Sequence, residues 1–173
     1  NLHADIAVAA LDNGKHVLCE KPLARTSSEA RAMVDAAERS GRKLMTAFCH
    51  RFNPPVLFAK ELIENDDLGR IVMFRSRFSA GIQRLEEKWF SDLAVSGGGA
   101  LIDTAVHSID LFRYLVEEVA HAAGKVATFN PKLKVEDSAI VTLHGESGAL
   151  GVVEASWSTP GGSNVLDIYG TAG

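Results

Sequence analysis

"GKHVLCEKPLARTSSEARAMVDAAERSGRKLMTAF", residues 14–48, decides the fold. Its outer parts, "KHVLCE" (15–20) and "KLMTAF" (43–48), are short, β-prone apolar runs. Between them "TSSE" (26–29) has the form of a capping box, with Thr26 as N-cap and Glu29 at the third helical position. The helix it opens runs to about Ser40, and Gly41 stands where a helix stops. Upstream, "HADIAVAALDN" (3–13) has helical composition, with Gly14 at its C-terminal cap. The first fifty or so residues therefore read helix, strand, helix, strand, and that alternation implies a parallel sheet packed by helices.

Further along the texture changes. Pro54 and Pro55 open a helix, "PVLFAKELIEN", that is expected to end near Gly69. "RIVMFRSRFS" (70–79) reads as a strand, "DSAIVTLHGESGALGVVEASWS" as a hairpin around "ESG", and "NVLDIYG" as a last strand. One more helix is expected from about 100 to 118. The chain is thus α/β followed by α+β with a mainly antiparallel open sheet. The expected boundary sets a parallel part, 1–52, against a second part, 53–173.

Composition bounds the function. The 173 residues are 46% hydrophobic and 23% charged, with a net charge of −4, as in an ordinary globular protein. No basic run points to nucleic acid, and no apolar stretch approaches the roughly 18 residues of a membrane span. Neither a signal peptide nor a lipidation motif is visible. Cys19 and Cys49 fall inside the apparent strands without metal-ligand spacing, which suits a reducing cytoplasm. An opening without Met, on the brink of a helix, and a close at a strand end read as cuts through a larger protein.

Two places carry chemistry. In "GGGALIDTAVHSIDL" (97–111), Asp103, His107, Asp110 and Tyr114 fall within about 60° of one another on a regular helix, while Leu101, Ala105 and Phe112 lie opposite. A helix apolar nearly all round is buried, so this stripe must face something polar. Either a closed network of hydrogen bonds satisfies it, or His107 is an acid/base with a carboxylate tuning it. Gly97, Gly98 and Gly99 would let a ligand approach the backbone there. The second place is the carboxyl end of the parallel strands, where open α/β sheets bind ligands. "KHVLCE" delivers Glu20, Lys21 and Pro22 to it, and "KLMTAF" delivers Cys49, His50, Arg51 and Asn53. Lys21 could donate to a developing alkoxide or be a solvated surface lysine. Arg51 could equally be a salt-bridge partner.

Together "GKHVLCEKPLA", "FCHRFNP" and "GGGALIDTAVHSIDL" resemble the Gfo/Idh/MocA family of NAD(P)-dependent oxidoreductases, over nearly the whole chain. The resemblance implies a Rossmann domain, of which 1–52 is the C-terminal part, then an α+β domain for substrate binding and oligomerisation. It implies hydride transfer between NAD or NADP and a secondary alcohol carbon of a sugar, inositol or related polyol. Lys21 would lie beside the nicotinamide and bond the reacting hydroxyl, His107 would move its proton, and Asp103 would orient substrate. Asn1, His3, Glu20 and Arg51 match positions near the cofactor. The fingerprint G-x-G-x-x-G is absent and expected upstream, so this piece alone should bind dinucleotide poorly. Ala105 stands where the family usually has glycine, on the side away from the stripe. A homo-oligomer through the open sheet and a cytoplasmic enzyme are expected.

Other readings stay open at this point. One is redox-neutral elimination or glycoside cleavage assisted by NAD. Another is a metal-dependent enzyme using Asp103 and His107, with His50 or His144 as third ligand. A third is a non-catalytic assembly or ligand-sensing module. The loop from about Ser79 to Ser96, with Gln83, Arg84, Lys88 and Trp89, is expected to contribute specificity. Trp89 would either stack on a sugar or be core.

Overall fold

The computed structural model describes residues 2–173. Its first part is α1 (His3–Asp12), β1 (Val17–Cys19), α2 (Ser27–Ser40) and β2 (Leu44–Thr46), with β1 and β2 parallel. The local signals act as expected. Gly14 and Gly41 take φ of +73° and +64°, the left-handed conformation that ends a helix without a Cβ clash. Thr26 accepts from the Glu29 amide at 3.2 Å. The reciprocal half of the capping box is shifted by one residue: the Glu29 carboxylate takes the Arg25 amide at 3.0 Å and the Arg25 guanidinium at 2.5 Å. Ala7, Cys19 and Met33 form a small core here, with Val17, Leu23 and Leu44 packed against it.

A short 3-10 turn, Cys49–Phe52, leads into α3 (Pro54–Glu64). Cys49 is therefore on a turn and not in a strand, and α3 stops a turn before Gly69. The second part adds β3 (Ile71–Ser79), the short α4 (Leu93–Ser96), a π-helical turn (Leu101–Ala105) that runs on into α5 (Val106–Leu115), β4 (Val119–Ala127), β5 (Ser138–Gly145), β6 (Leu150–Ser156) and β7 (Val165–Gly170). The five-stranded sheet has the order β4-β5-β6-β3-β7. Only the β3–β6 pair is parallel. Along β5, Ala139, Val141 and Leu143 point inward and alternate with exposed residues. Val141 and Leu143 join a core with Phe74 and Val153 from the other strands, Trp157 just beyond β6 and Phe112 from α5, all fully or nearly fully buried. Phe74 and Phe112 pack edge to face at 5.5 Å, and burial of each ring contributes about 2–3 kcal/mol.

One expectation is corrected here, and one strand was not foreseen. The motif helix is not regular from 100 to 118: it opens as a π-turn and ends at Leu115. Glu117 leaves it for a tertiary partner, and Glu118 turns back onto the helix itself. Glu117 accepts from the Ser147 and Ala149 amides and clamps the β5–β6 hairpin. Glu118 pairs with Arg113 through two hydrogen bonds. And "VAHAAGKVA", which has no strand pattern, is the edge strand β4, held by its ladder to β5.

Asp137 closes the loop between β4 and β5. It is fully buried and accepts from the Phe129 and Asn130 amides and from the hydroxyls of Ser138 and Ser158. Those bonds hold its carboxyl below the usual carboxylate range against the opposing effect of burial. Asp137→Ala should destabilise the chain by about 3 kcal/mol, because several buried donors lose one acceptor together. Asp137→Asn should recover part of that loss. Urea unfolding of the two variants beside the wild type checks the ranking.

Candidate active site

The polar stripe of α5 faces the first part of the molecule. The π-turn is fixed from behind by the Trp157 indole, which donates to Thr104 at 2.8 Å. Farther along, the Ser76 and Ser108 hydroxyls meet at 2.7 Å and tie α5 to β3. With the helix held this way, Asp103 meets the end of β1. The Lys21 ammonium lies 2.7 Å from the Asp103 carboxylate and 2.8 Å from its main-chain carbonyl. Asp110, nearly sealed from solvent, receives the Arg51 guanidinium through two bonds of 2.8 and 2.5 Å. That contact raises the Arg51 pKa, and the guanidinium also lies 4.8 Å from the Tyr114 ring centre.

The stripe thus divides. Its lower end, Asp110 and Tyr114, is consumed by Arg51, which is the salt-bridge partner allowed for in the sequence. Asp110 is satisfied by a side chain of the first part and not by neighbouring backbone. Its upper end, Asp103 and His107, lies beside Lys21.

His107 is 6% exposed, and its Nδ1 has no hydrogen-bond partner. The His50 ring stacks on it at 3.9 Å and 14°. Burial first, then the charges of His50 and Lys21, push the His107 pKa down to about 4, outweighing the carboxylates of Asp103 and Asp110. Burial and Lys21 lower His50 as well. Both rings are therefore neutral near pH 7, so His107 keeps a free lone pair there.

A cleft of about 370 Å³ opens beside Lys21 and Asp103. His3, Glu20 and Pro22 line it from the first part, and Trp89, Ser96 and Gly98 from the second. His3 Nδ1 contacts the Pro22 carbonyl at 2.8 Å and braces the turn that carries Lys21. The Glu20 carboxylate accepts from the Lys21 amide at 3.2 Å. Trp89 is 67% exposed, so it belongs to the cleft wall and not to the core; Trp157 is the buried tryptophan. Asn1 lies outside the described residues.

The glycine run is corrected. A Cβ on Gly99 would lie 1.8 Å from the Glu136 carbonyl, and one on Gly97, at φ +82°, 2.7 Å from the Arg25 side chain. These glycines admit other parts of the chain. The Glu136 carboxylate itself takes the Leu101 amide at 3.0 Å, at the helix N-terminus where a ligand was expected. The candidate third metal ligands also separate, because His144 is exposed on the outer face of β5 while His50 lies on His107. Sequence reasoning missed that stack and the grouping of Cys49 with both histidines. The adjacent Cys49 and His50 at a strand end were the only signal.

Comparisons with known proteins agree on the family. Residues 56–173 match the GFO/IDH/MocA C-terminal domain, and residues 1–48 match an oxidoreductase family with an NAD-binding Rossmann fold. A levoglucosan dehydrogenase of Pseudarthrobacter phenanthrenivorans is 34% identical over all of this chain and 52% of its own length. The scyllo-inositol 2-dehydrogenase (NAD(+)) of Bacillus subtilis is 28% identical over 99% of this chain and 50% of its own. A solved levoglucosan dehydrogenase in complex with NADH and levoglucosan superposes with a TM-score of 0.93 at 38% identity, covering 99% of this chain and 50% of that one. The chain spans about half the length of the curated relatives it matches.

The depressed histidines give a prediction. An unfolded histidine takes up a proton below its ordinary value of about 6.5, whereas His107 in the fold stays neutral down to about 4. The unfolded state therefore binds more protons in that window, and stability falls as pH falls. From about pH 7.5 to about pH 5.5 the loss due to His107 alone should be about 1 kcal/mol, with His50 adding to it. Urea unfolding at the two pH values should show a shallower loss in His107→Gln. An unchanged pH dependence in that variant would contradict a neutral, buried ring.

Proposed function

From a chain that belongs to the GFO/IDH/MocA family of oxidoreductases, we propose that the protein carrying it moves hydride between NAD or NADP and a secondary alcohol carbon of a sugar, inositol or related polyol. The observation that carries this reading is the meeting of Lys21, at the end of β1, with Asp103 beside one cleft, with the buried His107 four residues further along the same helix. The named activities of the relatives, on levoglucosan and scyllo-inositol, support the substrate class.

The residues present fit one end of a dinucleotide. Glu20 and His3 offer a carboxylate and an imidazole at the strand end, a donor and acceptor set suited to ribose hydroxyls next to a flat ring. No glycine fingerprint lies in this sequence, so these residues hold the nicotinamide side and not the pyrophosphate. Arg51, engaged with Asp110, contributes to that end by fixing the turn after β2. When bound, a nicotinamide supplies C4 as the hydride donor or acceptor.

This chain's own groups would handle the proton and the oxygen. Lys21 donates to the substrate hydroxyl oxygen and stabilises its alkoxide character as the C–H bond weakens. His107, neutral and unprotonated, accepts the hydroxyl proton. Asp103 holds the Lys21 ammonium in place through one carboxylate oxygen, while its other oxygen accepts from the Thr104 hydroxyl at 3.3 Å. The exposed Trp89 indole offers an apolar face to a sugar ring. Two free thiols support a cytoplasmic setting. Among the described residues no helix is long and apolar enough to cross a membrane. Met73, Leu150 and Tyr169 are exposed in register on the outer sheet face, which supports assembly of copies through it.

Titration of the protein carrying this chain with NADH and NADPH, followed by nicotinamide fluorescence, should give saturable binding of at least one. A polyol panel should then give substrate-dependent NAD(P)H formation. His107→Asn and Lys21→Met should each lower kcat by about 10²–10⁴-fold with the fold intact by circular dichroism. Absence of binding by a folded protein would remove the oxidoreductase reading.

A further inference from the structure

Hydride transfer leaves Cys49 and His50 without a role. Both sit on the 3-10 turn that follows β2, and that turn rests on α5 at His107. One ligand atom from each of Cys49, His50 and His107 lies within 4.8 Å of the others. The Cys49 thiol is exposed, and His107, 6% exposed, carries a ring nitrogen with no hydrogen-bond partner. We infer that Cys49, His50 and His107 bind a thiophilic divalent cation, with zinc as the type case.

One sulfur and two imidazoles form a soft to borderline donor set, which selects zinc over magnesium or calcium. Around a tetrahedral zinc the sulfur sits at about 2.3 Å and imidazole nitrogens at about 2.0–2.1 Å, so ligand atoms lie roughly 3.3–3.6 Å apart. The present spacing has to shrink by about 1 Å. The two rings now lie face to face, and their in-plane lone pairs run side by side. His50 must therefore turn off His107 to converge on an ion, and it also leaves the Phe78 ring, 5.4 Å away. It is half-buried on a short turn, whereas His107 is fixed in α5, so the adjustment falls on His50. Of the nearby charges, Lys21 opposes a cation and is paired with Asp103; Arg51 is paired with Asp110. Three protein ligands leave the fourth position open.

Binding would remove the His107 lone pair from proton transfer, so the ion acts as an inhibitor and not as a cofactor. That consequence rests on the proposed role of His107; the binding itself does not.

Cobalt(II) titrated into the purified chain, kept reduced without added thiol, reads the site directly. One equivalent should produce a thiolate-to-cobalt charge-transfer band that zinc abolishes by displacement. Cys49→Ser should remove the band, and His50→Asn should weaken the apparent affinity at least about tenfold, with circular dichroism confirming both folds. No band in the wild type, or a band that survives Cys49→Ser, overturns the site. In the protein carrying this chain, zinc should suppress turnover and Cys49→Ser should relieve the suppression. A cobalt band with no zinc effect on turnover keeps the site and removes the proton-transfer role of His107. Suppression that is equal in Cys49→Ser and wild type overturns this cluster as its cause.

Discussion

Two ion pairs across one seam, Lys21–Asp103 and Arg51–Asp110, set the geometry of everything else. Each joins a strand end of the first part to the helix that crowns the second, and His107 lies between them on that helix. The value of such pairs is positional more than energetic. Removing charges from water costs several kcal/mol per ion, which the pairing offsets without a large surplus. A well-packed apolar contact could hold the parts together at least as firmly. It could not hold an ammonium against a carboxylate at the edge of the cleft. Arg51 fits the lower position because its planar fork meets both oxygens of a buried carboxylate. Lysine fits the upper position because a point charge on a flexible stem can stay on Asp103 and still reach a neighbouring oxygen.

The same arrangement gives His107 its protonation state. An imidazole between two carboxylates would ordinarily be expected to gain a proton more easily. Here burial, then the stacked His50 ring and Lys21, prevail over both carboxylates. The π-turn adds to this. One wider turn at Leu101–Ala105 re-aims Asp103 relative to the α-helix that carries His107, a use often seen where π-turns sit at functional sites.

What could be read in the sequence follows from the range of the forces involved. The helix–strand–helix–strand order was legible because Gly14, Thr26 and Gly41 act within a turn of themselves. The polar stripe was legible because a buried carboxylate always requires a partner, and the strand-end rule pointed to where Lys21 waits. The strand β4 was not. Alanine-rich, it is extended only because β5 offers an edge, and its one glycine, Gly124, is needed there because a Cβ would lie 2.8 Å from the Ile140 carbonyl. The end of α5 was missed for a similar reason, since Glu117 favours a helix locally and is drawn off by Ser147 and Ala149. The His50–His107 stack depends on how a four-residue turn settles on a distant helix, and no spacing encodes that.

The glycine run shows how similar chemistry can be assigned to the wrong partner. Three glycines before a buried helix suggest a ligand at its N-terminus, yet Gly99 admits the main chain of Glu136 and Gly97 the Arg25 side chain, and only Gly98 of the three lines the cleft. An N-terminus already satisfied by a carboxylate of its own chain has little left to offer an anion. Recognition must then come from the two walls of the cleft, and these differ in kind. One wall is the end of β1 with the π-turn, locked by Trp157, Asp103 and the seam pairs. The other is the run of short turns around Trp89, whose indole packs only edge-on against Phe90. Groups that act on the reacting oxygen need the fixed wall, because an error of about 1 Å there costs orders of magnitude in rate. Groups that distinguish one polyol from another can sit on the wall with fewer contacts. Divergence in substrate is therefore expected to concentrate between Ser79 and Ser96, while Lys21 and His107 stay where the two ion pairs put them.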